Sequence, residues 1–323
     1  MQNLGTLDNQ YTIISLASDD IYRIYYAARG NQNQINYIIA IEGNNHDNNN
    51  DFPANEINIL NILHNVNNPY ILHFIIHGNG QLILQNEQPR NVAYLVFENA
   101  NINFSLFACL TFQERHAKLI FKKILNGIQA IHNANICNRD INPGNIIFDD
   151  NYNPKIYSFD FSCLNANNLQ DRGGKIEFAP PEIFANQPYN GFKYDIFSLG
   201  QLLFYLVVGR FGFQSSRDND SHYTLIRNHQ YDDYWKLSLP QNLNLSDSFK
   251  NLFVRMVAHN PNERPTIEQI LNDEWMQEIN NLNAEDLNIL ENQVQQELQN
   301  RRNNLLNIQQ QIPPQIHQEN DLP

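Results

Sequence analysis

The period of the apolar residues changes once along this chain, and that change limits the folds open to it. Three short runs, Tyr11 to Leu16, Ile21 to Ala27 and Ile35 to Ile41, alternate apolar and polar side chains and are rich in Ile and Tyr. A period of two with intervening turns marks strands with one buried face. A helical run from about Pro53 to His64 follows, with Ile57, Leu60 and Leu63 on one stripe; Ile71 to His77, Leu82 to Gln85 and Val92 to Phe97 read as further strands. From Phe112 onward the spacing becomes helical, through Ala117, Ile120, Phe121, Ile124, Leu125, Ile128 and Ile131. Further helices are expected from Tyr194, from Ser246 and over Thr266 to about Ile279. A strand-rich segment with one helix, then a helix-rich segment, is an α+β pattern.

A chain of 323 residues is long enough for two lobes with their own cores. The net charge of -13 argues against nucleic acid, whose recognition needs a basic face. Lys122-Lys123 and Arg301-Arg302 read as solvated helix faces. The three cysteines, Cys109, Cys137 and Cys163, are odd in number and lack metal-ligand spacing. That pattern fits a reducing, cytoplasmic setting better than a disulfide scaffold. Met1 to Gln10 carries no signal-peptide core. The longest apolar run, Leu199 to Val208, falls short of the roughly 20 residues that span a bilayer. It reads as a buried core helix, so no membrane partner is expected. The Asn-rich stretch Asn44 to Asn50 reads as a tolerant surface loop.

Past residue 280 the chain changes character. Asn283 and Asp286 have the spacing of a capping box. Leu287, Leu290, Val294, Leu298, Leu305, Ile308 and Ile312 then form an apolar stripe that Pro313-Pro314 stops. Two outcomes are open, docking on the preceding lobe or coiled-coil pairing. The interruption near Arg301-Arg302 favours docking.

The chemistry is concentrated between residues 138 and 266. Asn138-Arg139-Asp140-Ile141-Asn142-Pro143-Gly144-Asn145 is followed by Asp160-Phe161-Ser162, Pro180-Pro181-Glu182, Asp195-Ile196-Phe197-Ser198-Leu199-Gly200 and Asn262-Glu263-Arg264-Pro265-Thr266. In order and approximate spacing these resemble the catalytic loop, metal motif and later landmarks of eukaryotic-type protein kinases, over about residues 8–280. The resemblance implies a two-lobed fold: a small lobe over 8–100, a large lobe over 101–280, and a C-terminal helix and tail over 281–323. Trp275 closes the large lobe in the manner of serine/threonine kinases.

The resemblance also implies roles. Asp140 takes the position of the catalytic carboxylate that orients the substrate hydroxyl. Asn145 and Asp160 take the two magnesium-ligand positions, with the hard oxygen donors that magnesium prefers. Ile24, Ala40 and Ile147 match the purine-sandwiching positions, Phe97 the gatekeeper, and Glu98 to Ala100 the hinge. Glu182 and Arg264 match a buried ion pair, and Asp195 the residue anchoring the catalytic-loop backbone. Each has a structural alternative: polar groups persist as hydrogen-bonding structure, and any small lobe needs apolar residues toward its partner lobe.

The departures concern phosphate. Where the family has a glycine-rich loop, this chain has Ala17-Ser18-Asp19-Asp20-Ile21-Tyr22, with no glycine and two adjacent carboxylates. An Asp about 5 Å from a phosphate charge costs on the order of 3 kcal/mol at an effective dielectric of 20. The third-strand lysine is replaced by Glu42, and no lysine precedes Lys118. The helix carboxylate that should pair with that lysine is Glu56, so the expected attraction becomes a repulsion. Asn142 replaces the catalytic-loop lysine. Between Asp160 and Glu182 the only hydroxyl is Ser162, and Lys175 stands where a threonine usually closes the segment. Lys175 is either solvated or reaches Asp140.

Residues that hold the fold are thus present and those that bind a triphosphate are missing. The expected function is a pseudokinase, a scaffold or regulatory module engaging a protein partner through its large lobe or C-terminal helix. The alternative is a divergent serine/threonine kinase passing the ATP γ-phosphate to protein hydroxyls through Asp140, Asn145 and Asp160. A third reading keeps ATP and magnesium as a structural ligand without turnover.

Overall fold

A computed structural model describes residues 4–19, 23–29, 35–42, 54–105, 111–185 and 187–311; within these, the side chains of 17–19, 23–26, 28–29, 35–42, 101–104 and 308–311 are not described. Asp20 to Tyr22, Asn44 to Asn50, Cys109, Ile312 and Pro313-Pro314 therefore lie outside the described residues, as do the side chains of Ile24, Ala40, Glu42 and Ile308.

The alternating segment builds a closed antiparallel barrel. Its strands are β1 (Gly5–Leu7), β2 (Tyr11–Asp19), β3 (Arg23–Arg29), β4 (Ile35–Glu42), β5 (Phe74–Leu84) and β6 (Arg90–Phe97), and β1 joins β5 to close the ring. Helix α1 (Ala54–His64) leaves the barrel between β4 and β5. Strand β6 is apolar on both faces for a physical reason. Val92, Tyr94 and Val96 fill the barrel interior with Leu7, Tyr11, Ile13, Ala27 and Leu82. Ala93, Leu95 and Phe97 point the other way, into the main core with Ile59, Leu60 and Leu63 of α1.

Two sequence expectations change here. Ile71 to His77 and Leu82 to Gln85 are not separate strands, because β5 runs through Gly78-Asn79-Gly80 without a turn. The glycines serve close approach instead: a Cβ at Gly78 would sit 2.7 Å from the Tyr94 hydroxyl. Strand β1, ahead of residue 8, and β7 (Asn101–Ser105) are too short for periodicity to reveal.

The second lobe is mainly helical, built on α2 (Glu114–Asn133) and the almost fully buried α3 (Gly191–Val208). Between them lie β8 (Ile136–Cys137), a 3-10 turn at Pro143–Asn145, β9 (Ile146–Phe148), β10 (Pro154–Ile156) and β11 (Cys163–Leu164). Then come α4 (Ser221–Arg227), α5 (Tyr231–Ser238), α6 (Asp247–Met256), α7 (Ile267–Leu271) and α8 (Gln277–Asn280). The helix expected over Thr266 to Ile279 is broken, because Asp273 accepts a bond from the Trp275 amide at 2.9 Å and restarts the chain as a 3-10 turn. Trp275 is fully buried and donates to Glu114 at 2.8 Å.

Helix α9 (Ala284–Gln311) docks on this lobe. Leu290, Val294 and Leu298 are buried at 0, 5 and 0% exposure. Glu297 meets His116 at 2.6 Å, Glu291 meets Lys123 at 3.3 Å, and Arg301 reaches the Thr111 carbonyl at 2.6 Å. The basic interruption therefore continues the docking. Asn283 caps the helix by accepting the Asp286 amide at 2.9 Å.

Glu182 and Arg264 form a two-pronged ion pair, both contacts at 2.7 Å, with the Arg264 side chain fully buried. We expect Arg264→Met to cost about 3–5 kcal/mol in urea unfolding by stranding Glu182, and Arg264→Met with Glu182→Leu to recover part of the loss. Leu290→Asp with Leu298→Asp is expected to release α9, read as new cleavage within 284–311 in limited proteolysis.

Candidate active-site cleft

The loop after β8 is held from below by Asp195 of α3. This carboxylate, 0% exposed, accepts the Asn138 amide at 2.9 Å and the Arg139 amide at 2.7 Å, and meets His132 at 2.8 Å. Arg139 takes a left-handed backbone (φ 62°), which turns the loop so that Asp140 faces the cleft. Its buried guanidinium donates to the Phe161 carbonyl at 2.7 Å, to Asp171 at 2.7 Å and to the Tyr189 hydroxyl at 2.8 Å. The bond from Arg139 also holds the Asp171 carboxyl below its usual range. The segment after Phe161 is thus pinned to the 138–145 loop by Arg139.

Asp140 is 7% exposed, and internal donors reach both its oxygens. Oδ1 accepts Asn142 Nδ2 at 3.1 Å and the Lys175 main-chain amide at 3.1 Å; Oδ2 accepts Asn145 Nδ2 at 2.6 Å. Gly174 lies directly over it, and Gly173 lies over the neighbouring Arg139. Gly174 has φ +30°, and a Cβ there would overlap Asp140 Oδ1. Burial pushes the Asp140 carboxyl up, opposed by these donors and by the charge of Lys175. Lys175 itself is exposed, as the solvated reading has it; its bond to Asp140 comes from the backbone amide.

The replacement amides are structural here. Asn142 donates to the Asp140 carbonyl at 3.0 Å and accepts the Gly144 amide at 3.0 Å, capping the 3-10 turn. Asn138 donates to the Ser158 carbonyl at 2.8 Å and accepts the Asp140 amide at 3.1 Å. Ser162 is buried and donates to the Asn138 carbonyl at 3.3 Å.

Across the cleft, Glu56 of α1 hydrogen-bonds Asp160. Burial, then the Asp160 charge, pushes the Glu56 carboxyl up to about 8. Asn55 donates to the Ser162 carbonyl at 2.8 Å, so two consecutive residues tie α1 to the Asp160-Phe161-Ser162 motif. The expected Glu42–Glu56 repulsion involves a side chain that is not described. Burial and the neighbouring Asp160 carboxylate favour the protonated form of Glu56. Burial, then the charges of Asp160 and Asp140, pushes the Tyr157 hydroxyl up.

Asp140, Asn145 and Asp160 thus fall around one cleft. Phe97, Ala100 and Ile147 belong to the continuous core, at 1, 1 and 0% exposure. Glu98 is held by Lys155 at 2.7 Å and by the His73 amide at 3.1 Å. For Ile24 and Ala40 only backbone register is described: Ile24 pairs with Ile39, and Ala40 with Tyr94 and Arg23. Sequence reading missed the cover at Gly173-Gly174, although the pair is a turn signal. It also missed the Asn55 and Tyr157 contacts, which carry no sequence signal.

A family model described as "Protein kinase domain" matches residues 24–276. The chain belongs to the protein kinase family. It is 30% identical over 213 residues to "Sperm motility kinase Z" of Mus musculus, covering 64% of this chain and 41% of that protein. Similar matches are the "Probable serine/threonine-protein kinase KCC4" of Saccharomyces cerevisiae, 30% over 208 residues (62% and 19%), and the "CBL-interacting serine/threonine-protein kinase 26" of Arabidopsis thaliana, 30% over 171 residues (50% and 36%). The chain spans less than half the length of these relatives. Among the described residues no helix is long and apolar enough to cross a membrane.

The raised Glu56 acidity gives a pH dependence with a definite sign. The folded state keeps a proton that the unfolded chain releases near 4.5, so stability is full below 4.5 and falls as pH rises to about 8. Glu56→Gln keeps a donor toward Asp160 without this cost. We expect it to exceed the wild type by several kcal/mol at pH 8, each tenfold in proton affinity being worth about 1.4 kcal/mol. The advantage should vanish near pH 4; parallel pH profiles in urea unfolding would contradict the assignment.

Proposed function

We propose that this kinase-family chain is a pseudokinase, a scaffold or regulatory module for a protein partner. The observation that carries this reading is the state of Asp140: donors from its own loop and the 173–175 segment occupy both oxygens, under a glycine cover. A substrate hydroxyl would have to compete with these donors, and pass Gly174, to come within about 2.6–3.2 Å of the carboxylate.

The family generally uses ATP and magnesium. The residues here do not fit the phosphate end of that ligand. The strand position of the phosphate-binding lysine is Glu42, and Asn142 in place of a second cation is bonded into the loop. Glu56 already engages the Asp160 carboxylate. Phosphoryl transfer rests on positive groups against developing negative charge, and two are missing. The reading places the chain in a reducing intracellular compartment, with the large lobe or α9 as the partner-binding surface.

One observation favours the second reading, a divergent serine/threonine kinase of low activity. Asp160 is exposed, and Asn145 turns both amide contacts to Asp140, 3.0 Å to its carbonyl and 2.6 Å to Oδ2. That leaves the Asn145 amide oxygen and a carboxylate oxygen as hard donors for a cation.

Calorimetric titration with ATP, with and without magnesium, separates the two. The scaffold reading expects no binding up to about millimolar nucleotide, an affinity weaker than about -4 kcal/mol. Micromolar binding that tightens with magnesium, with phosphotransfer lost in Asp160→Ala, would replace it with the enzyme reading. Nucleotide binding without turnover would support the structural-ligand reading.

A further inference from the structure

Away from the carboxylates, the fold brings together two thiols that the cleft does not use. Cys137 ends β8 and Cys163 opens β11, and the two are direct partners across an antiparallel ladder. Their sulfurs are 3.2 Å apart, and both are free. Directly opposed residues in such a ladder have Cα atoms about 4.5–5.5 Å apart, inside the usual disulfide range of about 4.4–6.8 Å. Among the described residues no group of three or more His, Cys, Asp or Glu could hold a metal, so the pair is not half of a metal site there.

The two thiols are unequal. Cys163 is half-buried, and the hydrogen bond from Cys137, with Arg139 nearby, lowers its pKa. Cys137 is fully buried against Gly191 at the start of α3, and the same hydrogen bond together with burial raises it. The accessible, more acidic sulfur is the attacking one, and the protected sulfur is poised to resolve.

We propose that Cys137 and Cys163 are a peroxide-sensitive dithiol that closes to a disulfide across β8 and β11. The Cys163 thiolate attacks one oxygen of hydrogen peroxide; the O–O bond breaks, and the leaving hydroxide takes a proton to become water. Cys163 becomes a sulfenic acid. The Cys137 sulfur then attacks the Cys163 sulfur, the S–O bond breaks, and water leaves with the Cys137 proton. Two thiols and one peroxide become one disulfide and two waters, and a dithiol reductant reverses the change.

The consequence follows from position. Cys137 stands three residues before Asp140, and Cys163 three after Asp160. The bond closes a loop containing both motifs, reinforcing the bond from Arg139 to the Phe161 carbonyl at 2.7 Å. It also removes freedom from the unfolded chain. This inference does not depend on whether the domain transfers phosphate.

The test uses the full chain carrying Cys109→Ser, titrated with hydrogen peroxide, then alkylated, digested and read by mass spectrometry. The expected product is one peptide pair linked through Cys137 and Cys163, lost on dithiothreitol treatment. The oxidised protein should melt about 5 °C higher. Cys163→Ser should give no linked pair. Cys137→Ala should instead leave Cys163 as a sulfenic acid trapped by dimedone, a readout that does not need the disulfide. Full alkylation of both thiols after peroxide, oxidation of Cys163 to sulfinic acid with Cys137 still free, or a lowered melting point would each overturn the proposal.

Discussion

Asp195 is a carboxylate with no exposed surface, and the cleft is arranged around the bonds it accepts. Burying a charge costs several kcal/mol unless donors compensate it. The Asn138 and Arg139 amides and His132 supply them. With two consecutive amides fixed, the left-handed turn at Arg139 is fixed too. From there the guanidinium positions Phe161, Asp171 and Tyr189 together. One buried group in a core helix thereby sets the 138–145 loop, the Asp160-Phe161-Ser162 motif and the segment that lies over Asp140.

The polar groups of the cleft satisfy one another. Asn138, Asn142 and Asn145 supply donors to neighbouring carbonyls and carboxylates, and Glu56 shares its proton with Asp160. An amide brings both donor and acceptor capacity without a charge, so such a network closes on itself. A lysine in the same place leaves positive charge to be neutralised by a ligand. Asn142, which removes one phosphate-binding charge, therefore supplies internal partners to its own loop.

Motif order made the large lobe legible. Glu182, Asp195 and Arg264 hold in space the partnerships their resemblance implied. The helix over 54–64 was legible from its spacing, but the face it buries is centred on Glu56, Ile59, Leu60 and Leu63 rather than Ile57. Periodicity registers apolar residues only, and a protonated carboxyl buries like one. Strand β5 was read as two because glycine ordinarily marks a turn, whereas Gly78 makes room for Tyr94.

The sequence by itself determined the class of fold, the order of its elements and the absence of the phosphate-binding cations, because these follow from local period and residue type. Tertiary structure alone decided the partners. It brought Glu56 to Asp160 rather than leaving it to a lysine, laid Gly174 over Asp140, docked α9 through Leu290 and Leu298, and set Cys137 against Cys163. Each of these contacts joins residues far apart in the chain through the packing of separate elements. Their energies depend on burial and on distances of about 3 Å, which no sequence spacing encodes.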